Sequence, residues 1–383
     1  MSRTGLRRIV IVCVLAWTAL SAAAQKSPRA MTITGYVFPQ NHILPPGQLD
    51  ARALTRINYA FGVIHDGGLG PATAVDAQNF AFLTGLRKQN PSLAILLSIG
   101  GWNGSGGFSD AALTAQSRAT FVESAVDFLR RYHLDGLDVD WEYPGLPGAG
   151  NKYRPEDTQN FTLLLKDLRE RFDREQKATG RRLILTIAAG ASEEYLAHTE
   201  MKQVQRYIDA VNLMTYDYAK PSTDVLTGLN APLYADPASP RQESVDASVR
   251  AFEQAGVPAG KILIGIPFYS HVWQQVPDRN HGLFQPGKPA SNDLAPFGAI
   301  RQNILGQGYT RYWDQAASVP YLYSAEKQQF VSYDDAESIA AKCNYAVSHK
   351  LGGVMFWEYL DDPSGELLEA IDRALLRPRN PSR

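Results

Sequence analysis

Eight short runs rich in β-branched residues recur along this chain, each separated from the next by a helix-sized segment: residues 32–38, 56–61, 93–99, 136–141, 183–188, 210–215, 262–268 and 353–357. Strands that alternate with helices pair in parallel, because a crossover helix returns the chain to the same edge with a right-handed turn. Phe121, Ala125, Phe128 and Tyr132 recur at helical spacing between two of the runs, as do Phe161, Leu164, Leu165, Leu168 and Phe172 between two others. The second of these helices opens with Pro155, Glu156 and Asp157 and stops before Gly180, start and stop signals in the expected order. Eight strand and helix repeats close most simply into an α/β fold of the (β/α)8 TIM-barrel type, spanning about residues 30–380, and the 383 residues fit one such domain.

One interval is too long for a loop. Residues 271–330 separate the seventh and eighth runs and are rich in Pro, Gly and aromatic side chains. Structureless connections of that length are uncommon in compact domains, so a small α+β subdomain is expected there, inserted between strands 7 and 8.

The amino terminus carries Arg3, Arg7 and Arg8, an apolar run from Ile9 to Leu20, and Ala22, Ala23 and Ala24 before Gln25. That run is too short to span a bilayer, and the pattern reads as a signal peptide over residues 1–24, for a secreted or periplasmic protein with no stable membrane span after its removal. Lys and Arg number 38 against 39 Asp and Glu, so the basic excess that would hold the chain on a phosphate backbone is missing and nucleic acid is excluded as a partner. Cys13 lies inside the leader, which leaves Cys343 alone and no intramolecular disulfide. Its spacing of four from Ile339 and from Val347 marks it as a small core residue.

The chemistry concentrates in Asp135-Gly136-Leu137-Asp138-Val139-Asp140-Trp141-Glu142-Tyr143-Pro144. Side chains alternate across a strand, so Asp138, Asp140 and Glu142 share one face while Val139 and Trp141 take the other. In a barrel the apolar pair needs the helix layer, which turns the three acids inward, toward the carboxyl end where barrel sites are built. Acids that close cannot all ionise, because burial and like charge both favour the protonated form. An acid held beside carboxylates is the arrangement glycoside hydrolysis needs. A divalent metal is the competing use of three acids, but no His lies near this strand, so no metal and no cofactor is expected.

This segment resembles the D-x-x-D-x-D-x-E signature of glycoside hydrolase family 18, the chitinase family, with Asp135, Asp138, Asp140 and Glu142 in its four acidic positions. Ser98-Ile99-Gly100-Gly101-Trp102 is similar to the family's third strand, Met214-Thr215-Tyr216-Asp217 to its sixth and Met355-Phe356-Trp357-Glu358 to its eighth. Tyr312-Trp313-Asp314 and Val331-Ser332-Tyr333-Asp334-Asp335 resemble the flanks of its insertion domain. The resemblance implies hydrolysis of β-1,4-linked N-acetylglucosamine, in chitin or chito-oligosaccharides, by a monomer with a retaining mechanism. In it the substrate's own 2-acetamido oxygen attacks the anomeric carbon. Glu142 is then the acid and base, Asp140 holds the acetamido group, Asp138 partners Asp140, and Tyr216 donates to the acetamido oxygen. Asp217 and Trp357 bind the sugar, and Met214 is placed with them. Trp102 is expected to stack on a sugar face, while Tyr36 and Phe61, at the ends of strands one and two, line the pocket. Two related readings share this chemistry or this fold: an endo-β-N-acetylglucosaminidase acting on N-glycans, and a silent carbohydrate-binding lectin, which typically lacks the donor acid. After Pro267-Phe268-Tyr269 members of the family often carry Gly-Arg, whereas this chain has Ser270-His271, a departure that bears on the leaving-group contacts the resemblance implies and not on the chemistry.

Overall fold

In the computed structural model, which describes residues 31–375, eight parallel strands form a closed ring. They are Thr32–Val37, Arg56–His65, Ala94–Gly100, Gly136–Asp140, Ile184–Gly190, Ala210–Met214, Ile262–Pro267 and Gly353–Trp357. Each pairs with its neighbours in chain order, and the first pairs with both the second and the last, which leaves the barrel no free edge. The leader and Cys13 lie outside the described residues. Among the described residues no helix is long and apolar enough to cross a membrane.

The crossover helices form because their sequences supply a single apolar stripe. Ala115–Arg131 starts on a capping box, in which Thr114 and Ser117 satisfy each other's backbone donors, and it buries Phe121, Val122, Ala125 and Phe128. Asp157–Thr179 buries Phe161, Leu164, Leu165, Leu168 and Phe172 and ends on Gly180, whose φ of 75° is the left-handed cap a glycine adopts without strain. These stripes meet the outward faces of the strands, where Val139, Trp141, Ile187 and Leu213 are wholly or almost wholly buried. Trp141 lies between Phe108, stacked at 5.2 Å, and Phe161, edge-on at 5.8 Å.

The interval between the seventh and eighth barrel strands holds a second sheet of five antiparallel strands. Tyr269–Gln274 pairs with Lys288–Pro296 on one side and Gln329–Ser332 on the other, followed by Val319–Ser324 and Thr310–Asp314. One helix, Phe297–Asn303, accompanies them. The sheet begins two residues before the expected bound and ends two residues after it, because both flanks continue directly from strand seven and into helix Ala336–Ser348. It packs within the same compact unit as the barrel. Trp273, Tyr321, Tyr323 and Phe330 form its apolar core. Cys343 is wholly buried on helix Ala336–Ser348, and burial pushes its thiol up to about 12.

Candidate active site

The fourth strand stops at Asp140, two residues short of Glu142. The alternation therefore holds for Asp138 and Asp140, while Glu142 is carried on the loop that leaves the strand. That loop is fixed by Ser105, whose hydroxyl donates to the carbonyls of Gly101 and Asp140 and accepts from the Glu142 amide at 2.9 Å. The backbones meet closely at this corner. A Cβ on Gly100, whose φ is 103°, would lie 2.2 Å from the Asp140 carbonyl, and the adjacent Gly101 amide donates to that same oxygen at 2.9 Å.

Asp138 is wholly buried, and four donors saturate it. Tyr36 and Ser98 donate to Oδ2 at 2.8 Å each, and Thr186 and Asn212 donate to Oδ1 at 2.5 and 2.9 Å. Parallel register explains the convergence, since Ser98, Asp138 and Thr186 are direct partners across three adjacent strands. Asp140 is only 4% exposed, and its Oδ1 has no hydrogen-bond partner. Burial, then the charge of Glu142, then that of Asp138 push its carboxyl well above the ordinary range. Glu142 is pushed up to about 7, chiefly by burial; the Tyr143 hydroxyl and Lys220 draw it down, and the Asp217 charge draws it up. None of the three acids forms an ion pair among the described residues. A carboxyl that keeps its proton near neutrality, next to a second one with an open oxygen, can donate to a leaving group and hold a polar substrate group.

Tyr216 and Asp217 both lie beyond the end of strand six, where strand alternation no longer applies, and both interact electrostatically with the acids. Tyr216 is pushed far above its ordinary range by burial and by the nearby charges of Asp140, Asp217 and Glu142. The Asp217 backbone sits in the left-handed region at a φ of 62°, with its amide donating to Asn230 at 2.8 Å. Its Oδ1 accepts from the Tyr269 hydroxyl at 2.6 Å and lies 2.8 Å from Nε2 of His271. Burial raises the Asp217 carboxyl, and His271, Tyr269 and Lys220 more than offset it, so the group ends below its ordinary range.

Aromatic rings close one side. Trp357 ends strand eight half-buried, 5.7 Å from Tyr36, 5.7 Å from Phe38 and stacked at 5.6 Å on Phe61. Met214 is half-buried against the same cluster, with Tyr216 and Trp357. Trp102 is 49% exposed and edge-on to Tyr143 at 6.4 Å, and the adjacent Gly101 lies against the Phe61 ring. Trp273 is core, and Asp135 lies at the other end of strand four, tied to Arg87 and Arg181.

Sequence reasoning missed Ser105, Thr186, Asn212, Tyr143 and Tyr269. Thr186 and Asn212 carried a usable signal, each a lone polar residue inside an otherwise apolar strand. Ser105 carried none, because its role depends on a corner formed by two distant segments.

The sequence profile of Glycosyl hydrolases family 18 matches residues 32–362. Chitinase A1 of Niallia circulans is 43% identical over 301 residues, which cover 75% of this chain. The matched stretch is 43% of that relative's length, so the chain spans less than half of it. Chitinase B of Serratia marcescens is 31% identical, over 88% of this chain and 78% of its own. Among solved structures, a family 18 N-acetylglucosaminidase from Paenibacillus barengoltzii is 42% identical with a TM-score of 0.83, covering 90% of this chain and 100% of that one.

Proposed function

The chain belongs to glycoside hydrolase family 18, and from that premise we propose that it is a chitinase cleaving β-1,4-linked N-acetylglucosamine chains with retention of configuration. One observation carries the assignment of roles: the buried Oδ1 of Asp140 has no partner, and near it stands Glu142, whose carboxyl burial pushes up to about 7. Glu142 gives that proton to the glycosidic oxygen as the bond to the anomeric carbon breaks, and the substrate's acetamido oxygen forms the new bond to that carbon. Asp140 takes the acetamido N–H on its open oxygen, and Tyr216 donates to the acetamido oxygen. Asp138, fixed by four donors, keeps Asp140 in place. Water then attacks the anomeric carbon, giving its proton to the Glu142 carboxylate, and the acetamido group is released. Trp357, with Tyr36, Phe38 and Phe61 behind it, is the floor under the reacting sugar, Met214 and Asp217 contact that sugar, and Trp102 stacks on a sugar face.

The Paenibacillus enzyme favours a second reading, release of single N-acetylglucosamine units from a chain end, because the match spans its whole length. The lectin reading lacks support from the site, since the donor acid is present. The experiment is product analysis on chito-oligosaccharides beside a high-mannose glycopeptide, with NMR of the fresh hydrolysate. Internal cuts and a β-configured first product support a chitinase, single sugars alone support the second reading, and cleavage of only the glycopeptide or an initial α product overturns both. Export to the periplasm or medium as a monomer belongs to the proposal and rests on residues 1–24; the exported form is expected to begin near Gln25, which intact mass tests.

A further inference from the structure

His271 lies on the first strand of the second sheet, outside the barrel, and is 3% exposed, with Nε2 turned to Asp217. Its ring is wedged edge-on between Tyr269 at 5.6 Å and Trp273 at 6.1 Å. Two residues along one strand face point the same way, so Tyr269, His271 and Trp273 form a single row, and the first two converge on one atom, Oδ1 of Asp217. The second sheet thus holds this carboxylate with two side chains, and Tyr269 also meets the Tyr216 ring edge-on at 6.0 Å. We propose that His271 is a positioning residue, fixing the orientation and charge of Asp217 and, through Asp217, the proton on Glu142.

The inference rests on the proposed role of Glu142. The groups that face Asp217 are Tyr216 and Lys220 on its own loop, Glu142 and Tyr143 at the end of strand four, and Tyr269 and His271 on the second sheet. Of these, His271 and Lys220 are the ones able to carry positive charge, and of the two His271 lies at hydrogen-bond distance from the carboxylate. Tyr269 and His271 both engage Oδ1, which fixes the carboxylate from the side of the second sheet. Removing His271 frees the carboxylate to rotate and makes its anion harder to hold under burial. The negative charge that favours the protonated form of Glu142 then fades, and Glu142 releases its proton at lower pH.

The test compares His271→Leu, His271→Gln and Glu142→Gln with the wild type on the N-acetylglucosamine tetramer, measuring kcat, KM, the pH profile and the melting temperature. His271→Leu is expected to lower kcat roughly tenfold or more with little change in KM, because misplacing a group at the site costs rate rather than binding. Its alkaline limb moves to lower pH. His271→Gln, which returns a neutral donor at similar reach, restores most of both. A His271→Leu enzyme with wild-type kcat and an unmoved alkaline limb overturns the inference, even if it melts earlier, since that result makes His271 packing only. A change confined to KM also overturns it. Full activity of Glu142→Gln instead overturns the underlying reading of the site.

Discussion

Asp334 and Asp138 are both wholly buried, one where the second sheet hands the chain to helix Ala336–Ser348, the other inside the barrel, yet only the first has a cation. Lys342, itself wholly buried, places its ammonium 2.6 and 2.7 Å from the two Asp334 oxygens, and Ser338 adds a hydroxyl at 2.6 Å. Burial pushes the acid up and the amine down, and each charge pulls the other back. In the barrel, Asp138 is satisfied by neutral donors, Asp140 keeps an open oxygen, and Glu142 holds a proton. A paired charge can do little except hold two elements together. An unpaired, desolvated acid has free energy tied to its proton, and that is what catalysis can draw on.

The sharpest way to break this contrast is Glu142→Gln. The amide has no proton to donate, so kcat/KM on chito-oligosaccharides should fall by roughly 100 to 10,000-fold, the usual weight of general acid catalysis. The melting temperature should barely move. Wild-type turnover should also decline above about pH 7, where Glu142 loses its proton. A variant with more than a tenth of wild-type activity would remove Glu142 from the role of acid.

Lys342→Met attacks the other region and should show the reverse pattern. Leaving Asp334 buried without its partner should cost about 3 to 5 kcal/mol of stability, while replacing both, as Asp334→Leu with Lys342→Met, should recover most of that loss. Turnover per folded molecule should stay at the wild-type level in both. Urea melts and active-site titration separate the two quantities; a loss of kcat without a loss of stability would erase the distinction.

Asp140→Asn should have a smaller effect than either. It removes the carboxyl group that orients the acetamido group while leaving Glu142 in place, and the expected loss of kcat is roughly 100-fold, comparable to deleting one electrostatic contact at a reacting centre. Stability at neutral pH should hold, since a neutral amide replaces a carboxyl that burial already pushes toward its neutral form.

How much of this was legible beforehand follows from the range of each interaction. The barrel strands were readable to within a few residues because periodicity and β-branching are local, and the file of acids was readable because four residues of one segment carry it. The end of strand four was not, since it depends on Ser105 pinning the Asp140 carbonyl and the Glu142 amide from another loop. The four acids of the signature also look equivalent in sequence, whereas Asp135 sits at the opposite end of the strand in ion pairs with Arg87 and Arg181. His271 could be seen only as a departure from a pattern; its contact with Asp217 needs the second sheet folded against the barrel.

The smallest expected effect comes from a third place, which sharpens the comparison by separating unpaired burial from catalysis. Glu358, 6% exposed, follows Trp357 and makes no ion pair among the described residues; one of its oxygens accepts from the amides of Phe38 at 3.2 Å and Leu360 at 3.1 Å. Burial, and then the charge of Asp361, push its carboxyl to about 8, while those two amides draw it down. The folded protein therefore holds a proton on Glu358 in a range where the unfolded chain, with a carboxyl near 4.5, has lost it. Its contribution to stability is complete below about pH 4.5 and is lost as pH rises through about 8. At about 1.4 kcal/mol per unit of pKa difference, the loss between pH 6 and pH 8 is on the order of 2 kcal/mol. Glu358→Gln keeps a neutral acceptor for both amides and has nothing to titrate, so urea melts at the two pH values should differ by that much less than those of the wild type. Asp361, pushed to about 7 by its own burial, leaves a residual slope in both proteins. Turnover should remain close to wild type, because the Glu358 carboxyl faces the backbone behind the aromatic floor rather than Asp140 and Glu142. If Glu358→Gln loses as much activity as Asp140→Asn, unpaired burial alone does not mark the catalytic acids, and the floor beneath the sugar has to be counted among the groups that set the rate.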